Sequence, residues 1–434
     1  MMRSIGLAVA VLVAVAGRPE GLHYVPQASA PERAIVAYVD AHNAQALALL
    51  ERVVNINSGT QNFAGVREVG AIFRSSLDAL GFSTRWVDGA AFQRAGHLVA
   101  EHRGTGPKIL LIGHLDTVFE RDSPFQTFQR LDEKTAIGPG VIDMKGGDVV
   151  MLQALAALDA AGALKDMNVT VVMTGDEEDG GRPLVKSREA LVAAAKHADV
   201  AIGFEDGPGE PRYAVTARRG TMDWQLRVTG TPAHSSQIFR EEFGYGAIFE
   251  AARILNAFRE KMAGEEHLTF NPGVILGGTS TDYHAAQTRG SAFGKTNVIA
   301  GQTVVAGDLR TLSSAQLDRA IKSMRAIAAS ASPRTQAALT FGEGYPPLAP
   351  TDGNATLLAI YDKASRDLEF GAVTAVNPDK AGAADVSFIA AEAKMILDGV
   401  GLMGHDDHTP GETADLSTLP SQAKRAAVTL YRLR

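Results

Sequence analysis

The sequence predicts an α/β fold in which a doubly wound domain is interrupted by an inserted α+β domain. Before the middle of the chain, apolar β-branched runs alternate with helical patterns, which is typical of a sheet covered by helices on both faces. Near residue 214 strands of alternating polarity begin, and α/β character resumes after Ser332-Pro333. We therefore predict one domain formed by residues 31–214 and 333–434, and a second formed by residues 215–332.

Length and composition describe a globular protein without thiol chemistry. The 434 residues are too many for one ordinary core, so two domains are expected. A formal net charge of −7 and the lack of a long basic run argue against nucleic-acid binding. The sequence contains no cysteine, so disulfides and thiolate sites are excluded and any metal must be bound by His, Asp or Glu.

The N-terminus predicts an export signal over residues 1–30. Arg3 precedes an uninterrupted apolar stretch at residues 5–16, which is shorter than the roughly 20 residues that a membrane span needs. Two Ala-x-Ala sites follow, so the cleavage point stays open, with a mature start expected near residue 31. An uncleaved anchor or a buried N-terminal helix is the alternative. We expect the mature protein to be periplasmic or secreted.

Hydrophobic spacing predicts the elements in order. In the first segment, helices are predicted at residues 31–56, 65–80, 147–161 and 186–196, and strands at residues 82–87, 98–101, 108–113, 169–174 and 200–204. In the insert, strands are predicted at residues 214–219, 221–228, 274–277, 296–299 and 304–309, and helices at residues 245–262 and 314–330. In the last segment, we predict helices at residues 354–369 and 417–433 and a strand at residues 394–397.

Metal-type ligands follow the predicted strands. In open α/β sheets the carboxyl ends of the strands form the ligand-binding edge, so these side chains are expected to lie close together. Oxygen and imidazole ligands without sulfur suit zinc, manganese or cobalt. The candidates are His114, Asp116, Asp143, Glu177, Glu178, Glu205, Asp206, His405 and His408.

Metal-assisted hydrolysis is the chemistry that such a set allows. A carboxylate beside the ligands can deprotonate a metal-bound water, whose pKa falls towards about 7 on zinc. Two other interpretations remain open at this point. The acidic run at residues 176–179 alone is typical of a solvated turn. The glycine-rich turn at residues 138–147 suggests a phosphate-binding loop, but the GxxxxGK[ST] spacing is absent.

Five motifs in this order resemble those of the M20 metallopeptidases, and the glutamate-carboxypeptidase-like branch is the most similar. The resemblance extends over the chain after residue 31 and implies a zinc-exopeptidase-like catalytic domain with an inserted dimerisation (lid) domain. It also implies a homodimer formed through that insert. The motifs are GHLDTV at residues 113–118, GPGVIDMKGG at 138–147, GDEEDGG at 175–181, FED at 204–206 and HTPGE at 408–412.

The resemblance implies two divalent metal ions, zinc or else cobalt or manganese. His114 and Glu205 would bind one ion, Glu178 and His408 would bind the other, and Asp143 would bridge them. A cis peptide is expected at Asp143-Met144.

The resemblance also assigns the groups around these ligands. Glu177 would be the general base and acid, and Asp116 would orient the imidazole of His114. The neighbouring Asp206 and His405 compete with Glu205 and His408. The family pattern favours Glu205, which follows its strand directly, and the His-x-x-x-Glu spacing selects His408 with Glu412.

Substrate contacts are implied for three residues of the insert. His234 would reach the active site of the partner subunit and stabilise an oxyanion, and a surface-loop histidine is the alternative. Asn297 and Arg310 resemble a pair that binds a substrate carboxylate. The segment at residues 382–387 departs from the glycine- and serine-richer family version, which puts its substrate contacts in question.

The resulting prediction is an exopeptidase that cleaves a peptide or amide bond next to a free carboxylate by means of a water held between two metals. The substrate would be a small peptide. An N-acyl-amino-acid deacylase or desuccinylase acting on an N-acyl amino acid is the alternative within hydrolases. An inactive relative that serves as a binding module is the alternative outside them.

Overall fold

The computed structural model describes residues 28–196 and 198–434. The predicted export signal therefore lies outside the described residues, except for its last three. Of these, Ser29 forms a capping box with Glu32 at the start of the first helix, in which each side chain accepts the backbone N–H of the other residue. No helix within the described ranges combines the length and the apolar character needed to cross a bilayer.

The described segments form helices and strands in the alternation that the sequence predicts. The helices are α1 Ala30–Ala41, α2 Asn43–Val54, α3 Phe63–Ala79, α4 Lys145–Ala160, α5 Leu184–Ser187, α6 Glu189–Ala195, α7 Gly246–Met262, α8 Ser314–Ala329, α9 Asp352–Asp367 and α10 Thr418–Leu433. The strands are β1 Ser83–Asp88, β2 Gly96–His102, β3 Lys108–His114, β4 Gln129–Arg130, β5 Thr135–Ile137, β6 Asn168–Thr174, β7 Val200–Gly203, β8 Tyr213–Ala214, β9 Gly220–Thr229, β10 Thr269–Gly278, β11 Ser280–His284, β12 Arg289–Phe293, β13 Gln302–Thr311, β14 Gln336–Phe341, β15 Thr374–Ala375, β16 Met395–Leu397, β17 Gly404–His405 and β18 Thr413–Asp415.

The larger domain is built on a six-stranded mixed sheet in the order β1-β2-β6-β3-β7-β16. Strands β6, β3, β7 and β16 are parallel, whereas β2 pairs with β6 and β1 pairs with β2 in the antiparallel sense. The carboxyl ends of β3, β6 and β7 consequently meet at one edge of the sheet. The predicted metal-type ligands that follow these strands lie at this edge.

Each face of this sheet has its own core, because successive side chains of a strand point to opposite faces. Ile109 and Leu111 of β3 belong to the cluster formed with α1, α2, α4 and α10. Leu110 and Ile112 belong to the cluster on the other face, which includes Leu191 of α6. Helices on both faces of a largely parallel sheet confirm the predicted doubly wound α/β architecture.

The inserted domain is a four-stranded antiparallel sheet, β10-β13-β9-β14, packed against α7 and α8. Buried residues of α7 recur at spacings of three and four, which gives the helix one apolar face. Phe258 on that face meets Trp224 of β9 edge to face, with ring centroids 6.0 Å apart, and Met324 of α8 belongs to the same cluster.

The structure differs from the sequence predictions mainly in the insert. Residues 336–341 form β14, which pairs with β9, so the antiparallel sheet extends past the predicted boundary at residue 332. The strand predicted at residues 296–299 is wrong, because those residues form a loop joined to His234 by an isolated bridge at Val298. The β11–β12 hairpin was not predicted, because its strands are exposed and lack an apolar repeat.

Candidate active site and metal centre

The candidate ligands gather at the carboxyl edge of the central sheet. His114 is the last residue of β3, Glu177 and Glu178 lie in the loop after β6, and Glu205 lies two residues after β7. Because these three strands are adjacent and parallel, residues far apart in sequence lie side by side. The structure thus brings together the strand-end residues that the sequence predicts.

One group of candidate ligands surrounds His114. Its Nε2 atom lies 3.0 Å from Oδ1 of Asp143 and 3.6 Å from Oε1 of Glu205. The imidazole is buried, with 1% of its side chain exposed, so its ring cannot turn to solvent for another partner. This imidazole and two carboxylates form the first candidate metal site.

A second group surrounds His408, in the loop between β17 and β18. The Nε2 atom of His408 lies 2.9 Å from Oδ2 of Asp143 and 3.2 Å from Oε2 of Glu178. The two carboxylate oxygens of Asp143 therefore face two different imidazoles. This geometry fits the predicted bridging role of Asp143, with a separate carboxylate on each side.

The turn before α4 fixes the position of Asp143. The buried carboxylate of Glu412 accepts hydrogen bonds from the backbone N–H groups of Gly140 (2.9 Å), Ile142 (2.9 Å) and Asp143 (3.1 Å). The Asp143-Met144 peptide bond is cis, as the resemblance predicts. The loop that carries His408 thereby also supplies the group that orders the turn containing Asp143.

Asp116 lies on the Nδ1 side of His114 and contacts residues of both candidate groups. Its Oδ1 atom is 3.5 Å from Nδ1 of His114, and its carbonyl oxygen is 3.1 Å from the same nitrogen. Its carboxylate also accepts the backbone N–H groups of Glu177 (3.0 Å) and Glu178 (3.2 Å), and the hydroxyl of Thr60 (2.6 Å). Asp116 therefore orients the imidazole and the glutamate loop together.

Electrostatic interactions within the cluster shift several pKa values. Burial opposes ionisation of Asp143, but hydrogen bonds from His114 and His408 hold its pKa well below the usual range. Hydrogen bonds to Asp143 and Glu178 raise the pKa of His408 to about 11. Burial and the charge of Asp143 raise the pKa of Glu178 to about 7. The carboxylates thus create a field that favours positive charge at both imidazoles.

The residues present fit two divalent cations. The donors are two imidazoles and three carboxylates, a set that suits zinc, cobalt or manganese. Oε1 of Glu178 is buried and has no hydrogen-bond partner among the described residues, although its other oxygen meets His408. A buried carboxylate oxygen without a donor is costly unless a cation satisfies it. Asp407 offers a further carboxylate oxygen within 4.8 Å of ligand atoms of Asp143 and His408.

Glu177 differs from Glu178 in its surroundings. Burial raises the pKa of Glu177 well above its usual value, and the charges of Asp385, Glu178 and Asp143 raise it further. It lines the cavity beside the ligand groups. A carboxylate in such surroundings holds a proton more readily than an exposed one, which is the property that a general acid and base requires.

A cavity of about 520 Å³ opens in front of the ligands. Of the two adjacent acids Glu205 and Asp206 in its lining, Glu205 lies 3.6 Å from Nε2 of His114, so the geometry favours Glu205 as the ligand. His405 also lines the wall, is exposed and pairs with Asp406 at 2.9 Å. The lining residues are Asp143, Glu177, Glu205, Asp206, Gly207, Pro208, Gly209, Val215, Arg218, Lys380, Ala381, Gly382, Ala383, Ala384, Gly404, His405, Asp406, Asp407 and His408.

Three predicted substrate contacts lie on the inserted domain and do not line this cavity in the described chain. His234 is exposed, and its Nδ1 atom is 2.8 Å from the hydroxyl of Ser236. The carbonyl of Asn297 accepts the N–H of Ser235 at 2.9 Å, so Asn297 lies next to His234. Arg310 is on β13 and pairs with Asp308 at 2.9 Å.

Sequence reasoning missed the buried basic residues around the site. Arg218, with 6% exposure, lines the cavity and pairs with Asp398 at 2.7 Å. Arg188, with 1% exposure, pairs at 2.6 Å with Asp176, the first acid of the run at residues 176–179. The sequence did contain a signal for such a basic residue. The four acids at residues 176–179 repel one another, and any of them that is buried requires a cationic partner. Asp179, by contrast, is exposed and pairs with Arg94 at 2.7 Å.

Sequence comparisons identify a family and relatives that match most of the chain. Residues 110–432 match the family model described as peptidase family M20/M25/M40. The chain is 26% identical over 382 residues to carboxypeptidase G2 of Pseudomonas sp., an alignment that covers 87% of this chain and 86% of that protein. It is 29% identical over 279 residues to a succinyl-diaminopimelate desuccinylase of Leptothrix cholodnii, covering 60% of this chain and 66% of that protein.

Comparison with solved structures supports the fold. Aminopeptidase PepT from Bacillus cereus superimposes with a TM-score of 0.72 at 18% sequence identity, covering 90% of this chain and 98% of that one. A tripeptidase from Staphylococcus aureus gives a TM-score of 0.70 at 20% identity, with the same coverage. At these identities the likeness establishes the shared fold alone.

Proposed function

The chain belongs to peptidase family M20/M25/M40, and on that premise we propose that it is a metal-dependent carboxypeptidase of the glutamate-carboxypeptidase-like type. The observation that carries the proposal is the position of Glu177 beside two ligand groups that share Asp143. Similarity to carboxypeptidase G2 along most of both chains supports this choice within the family. The substrate would be a small peptide with a free carboxylate next to the cleaved bond.

The residues around the cavity can perform amide hydrolysis. Divalent ions held by the two groups would polarise a carbonyl and make water more acidic. Glu177 takes the proton of the attacking water and later gives it to the leaving amine. Asp116 keeps His114 and the backbone of Glu177 aligned throughout, through the contacts described above.

A hydrolysis screen of the metal-loaded protein tests the proposal. We expect cleavage of peptides with a free C-terminal glutamate, and at least about a tenfold lower kcat/KM for the same peptides amidated at the C-terminus, because a charge-assisted contact is lost. Chelation should abolish the activity, and zinc, cobalt or manganese should restore it. Equal cleavage of free and amidated peptides would contradict a carboxypeptidase.

An N-acyl-amino-acid deacylase is the second candidate, supported by partial similarity to desuccinylases. The same screen separates the two, because acetyl and succinyl amino acids would then be preferred over dipeptides. If no amide is cleaved after metal loading while ions still bind, the binding-module alternative would replace both enzyme proposals.

We further propose a homodimer formed through the inserted domain. Exposed aromatic side chains cluster on this domain: Phe239 lies 5.6 Å from Tyr245 and 5.7 Å from Phe249 between ring centroids. Exposed apolar clusters of this kind are typical of association surfaces. His234, which is exposed on the same domain, would then complete the active site of the partner.

Subunit complementation tests the shared site. His234→Ala and Glu177→Gln homodimers should each be inactive. Mixed after dissociation and reassociation, they should regain about a quarter of wild-type activity, since half of the dimers are mixed and each has one intact site. No recovery in mixtures that light scattering shows to contain dimers would contradict a contribution of His234 across the interface.

The place of action outside the cytoplasm is likewise a proposal, supported by the apolar stretch at residues 5–16 after Arg3. Cell fractionation, with intact mass measurement of the mature chain, would test it. Recovery of the uncleaved chain in the cytoplasmic fraction would contradict it.

A further inference from the structure

The chain crosses between its two domains through paired segments. Residues 215–219 lead into β9, and residues 342–348 return after β14. Arg218 and Leu348 exchange backbone hydrogen bonds of 2.9 and 3.0 Å, and the N–H of Thr221 donates to the carbonyl of Tyr345 at 3.0 Å. The return segment is therefore held as part of an antiparallel ribbon, and Tyr345 occupies a defined position in it.

The side chain of Tyr345 reaches the loop that carries Glu177. Its hydroxyl donates to the carbonyl oxygen of Glu177 at 2.5 Å and accepts from Nη2 of Arg188 at 2.7 Å. An arginine only donates, so the single phenolic hydrogen is left for the Glu177 carbonyl. Burial raises the pKa of Tyr345 well above its usual value, so the hydroxyl remains a donor.

Arg188 holds the hydroxyl of Tyr345 in position. Its guanidinium is buried and is 2.6 Å from Oδ1 of Asp176 and 2.8 Å from Oδ1 of Asp385. Its Nη2 atom also donates to the carbonyl of Asp176 at 3.0 Å. A planar guanidinium held by two carboxylates has little freedom, so the position of the Tyr345 oxygen is well determined.

The peptide groups on both sides of Glu177 are consequently held. On one side, the carboxylate of Asp116 accepts the N–H of Glu177 at 3.0 Å. On the other, Tyr345 donates to the carbonyl of Glu177, and Asp116 accepts the next N–H, that of Glu178, at 3.2 Å. Asp116, which accepts the N–H of Glu177, lies in the loop after β3. Tyr345, which donates to the carbonyl of Glu177, lies in the segment that joins the two domains.

We propose that Tyr345 is a positioning residue for Glu177, through which the interdomain segment keeps the catalytic base in place. The inference rests on the proposed function only in that Glu177 is the base. Tyr345 itself touches the backbone of Glu177 and not its carboxylate. Its removal should therefore disturb alignment of the base rather than metal or substrate binding.

Replacement of Tyr345 by phenylalanine tests the proposal, because it removes the hydroxyl and keeps the ring. We expect kcat to fall by about 10- to 100-fold, the range seen when outer-shell partners are lost, with KM changed by less than about threefold. Metal content should stay at the wild-type value. Hydrogen–deuterium exchange of peptides covering residues 175–181 should be faster, with and without substrate.

Tyr361→Phe is the matched control, since Tyr361 is a buried tyrosine of α9 in the core away from the cavity. It should change neither kcat nor exchange at residues 175–181. Wild-type exchange of this loop in Tyr345→Phe would overturn the positioning role, whatever substrate the enzyme takes. If the wild-type protein cleaves no amide, the proposed function fails, and the exchange measurement still decides the role of Tyr345.

Discussion

Replacing Glu177 with glutamine is expected to lower kcat by about 10²- to 10⁴-fold, the usual contribution of a positioned general acid and base. The amide keeps the size of the side chain but cannot accept and return a proton. The candidate ligand distances involve Asp143, His114, His408, Glu178 and Glu205, so metal content should remain near that of the wild type. Steady-state kinetics and elemental analysis of the same preparation measure both quantities.

Asp179→Asn is the matched control for the charge of this loop. Asp179 is exposed and contacts Arg94 and Gln61 rather than the cavity, so kcat should stay within about twofold of the wild type. Full activity of Glu177→Gln would exclude Glu177 as the base. Loss of metal from this variant would instead place Glu177 among the ligands.

The sequence was informative where local pattern and function coincide. Apolar runs that end in His114, in Glu177 and in Glu205 predict strands and their functional edge together, because parallel strands end at a common edge. The pairing of His408 with Glu412 came from spacing in a motif, and the structure shows that Glu412 orders the turn that carries Asp143. Helix bounds agreed closely for α7, whereas the helix predicted at residues 31–56 is divided at His42 into α1 and α2.

The missed features depend on contacts between distant segments. Nothing in the local pattern around Arg188 indicates that Asp385 lies 2.8 Å away, 197 positions later in the chain. Tyr345 lies in a short segment without periodicity. Its contact with Glu177 becomes apparent only once the two segments that connect the domains are seen to pair. The strand β14 was missed because alternate residues of it are only half-buried on an edge.

The Arg188 network also predicts the largest effect on stability. Arg188→Met is expected to lower the free energy of unfolding by about 3–5 kcal/mol, because Asp176 and Asp385 would remain buried without their cationic partner. Methionine keeps an unbranched apolar stem to pack against Tyr345 and Phe388, so lost packing contributes little. Urea titration followed by circular dichroism measures the change at neutral pH.

Two further variants show whether the loss of stability comes from leaving buried carboxylates unpaired or from removing an arginine in general. Arg182→Met removes a half-exposed pair with Glu343 in the same region and should cost no more than about 1 kcal/mol. Adding Asp176→Asn and Asp385→Asn to Arg188→Met should recover part of the lost stability, because neutral amides are less costly to bury than unpaired carboxylates. If Arg188→Met and Arg182→Met proved equally mild, the buried carboxylates would have to be solvated or protonated, and the network would not order the loop of Glu177.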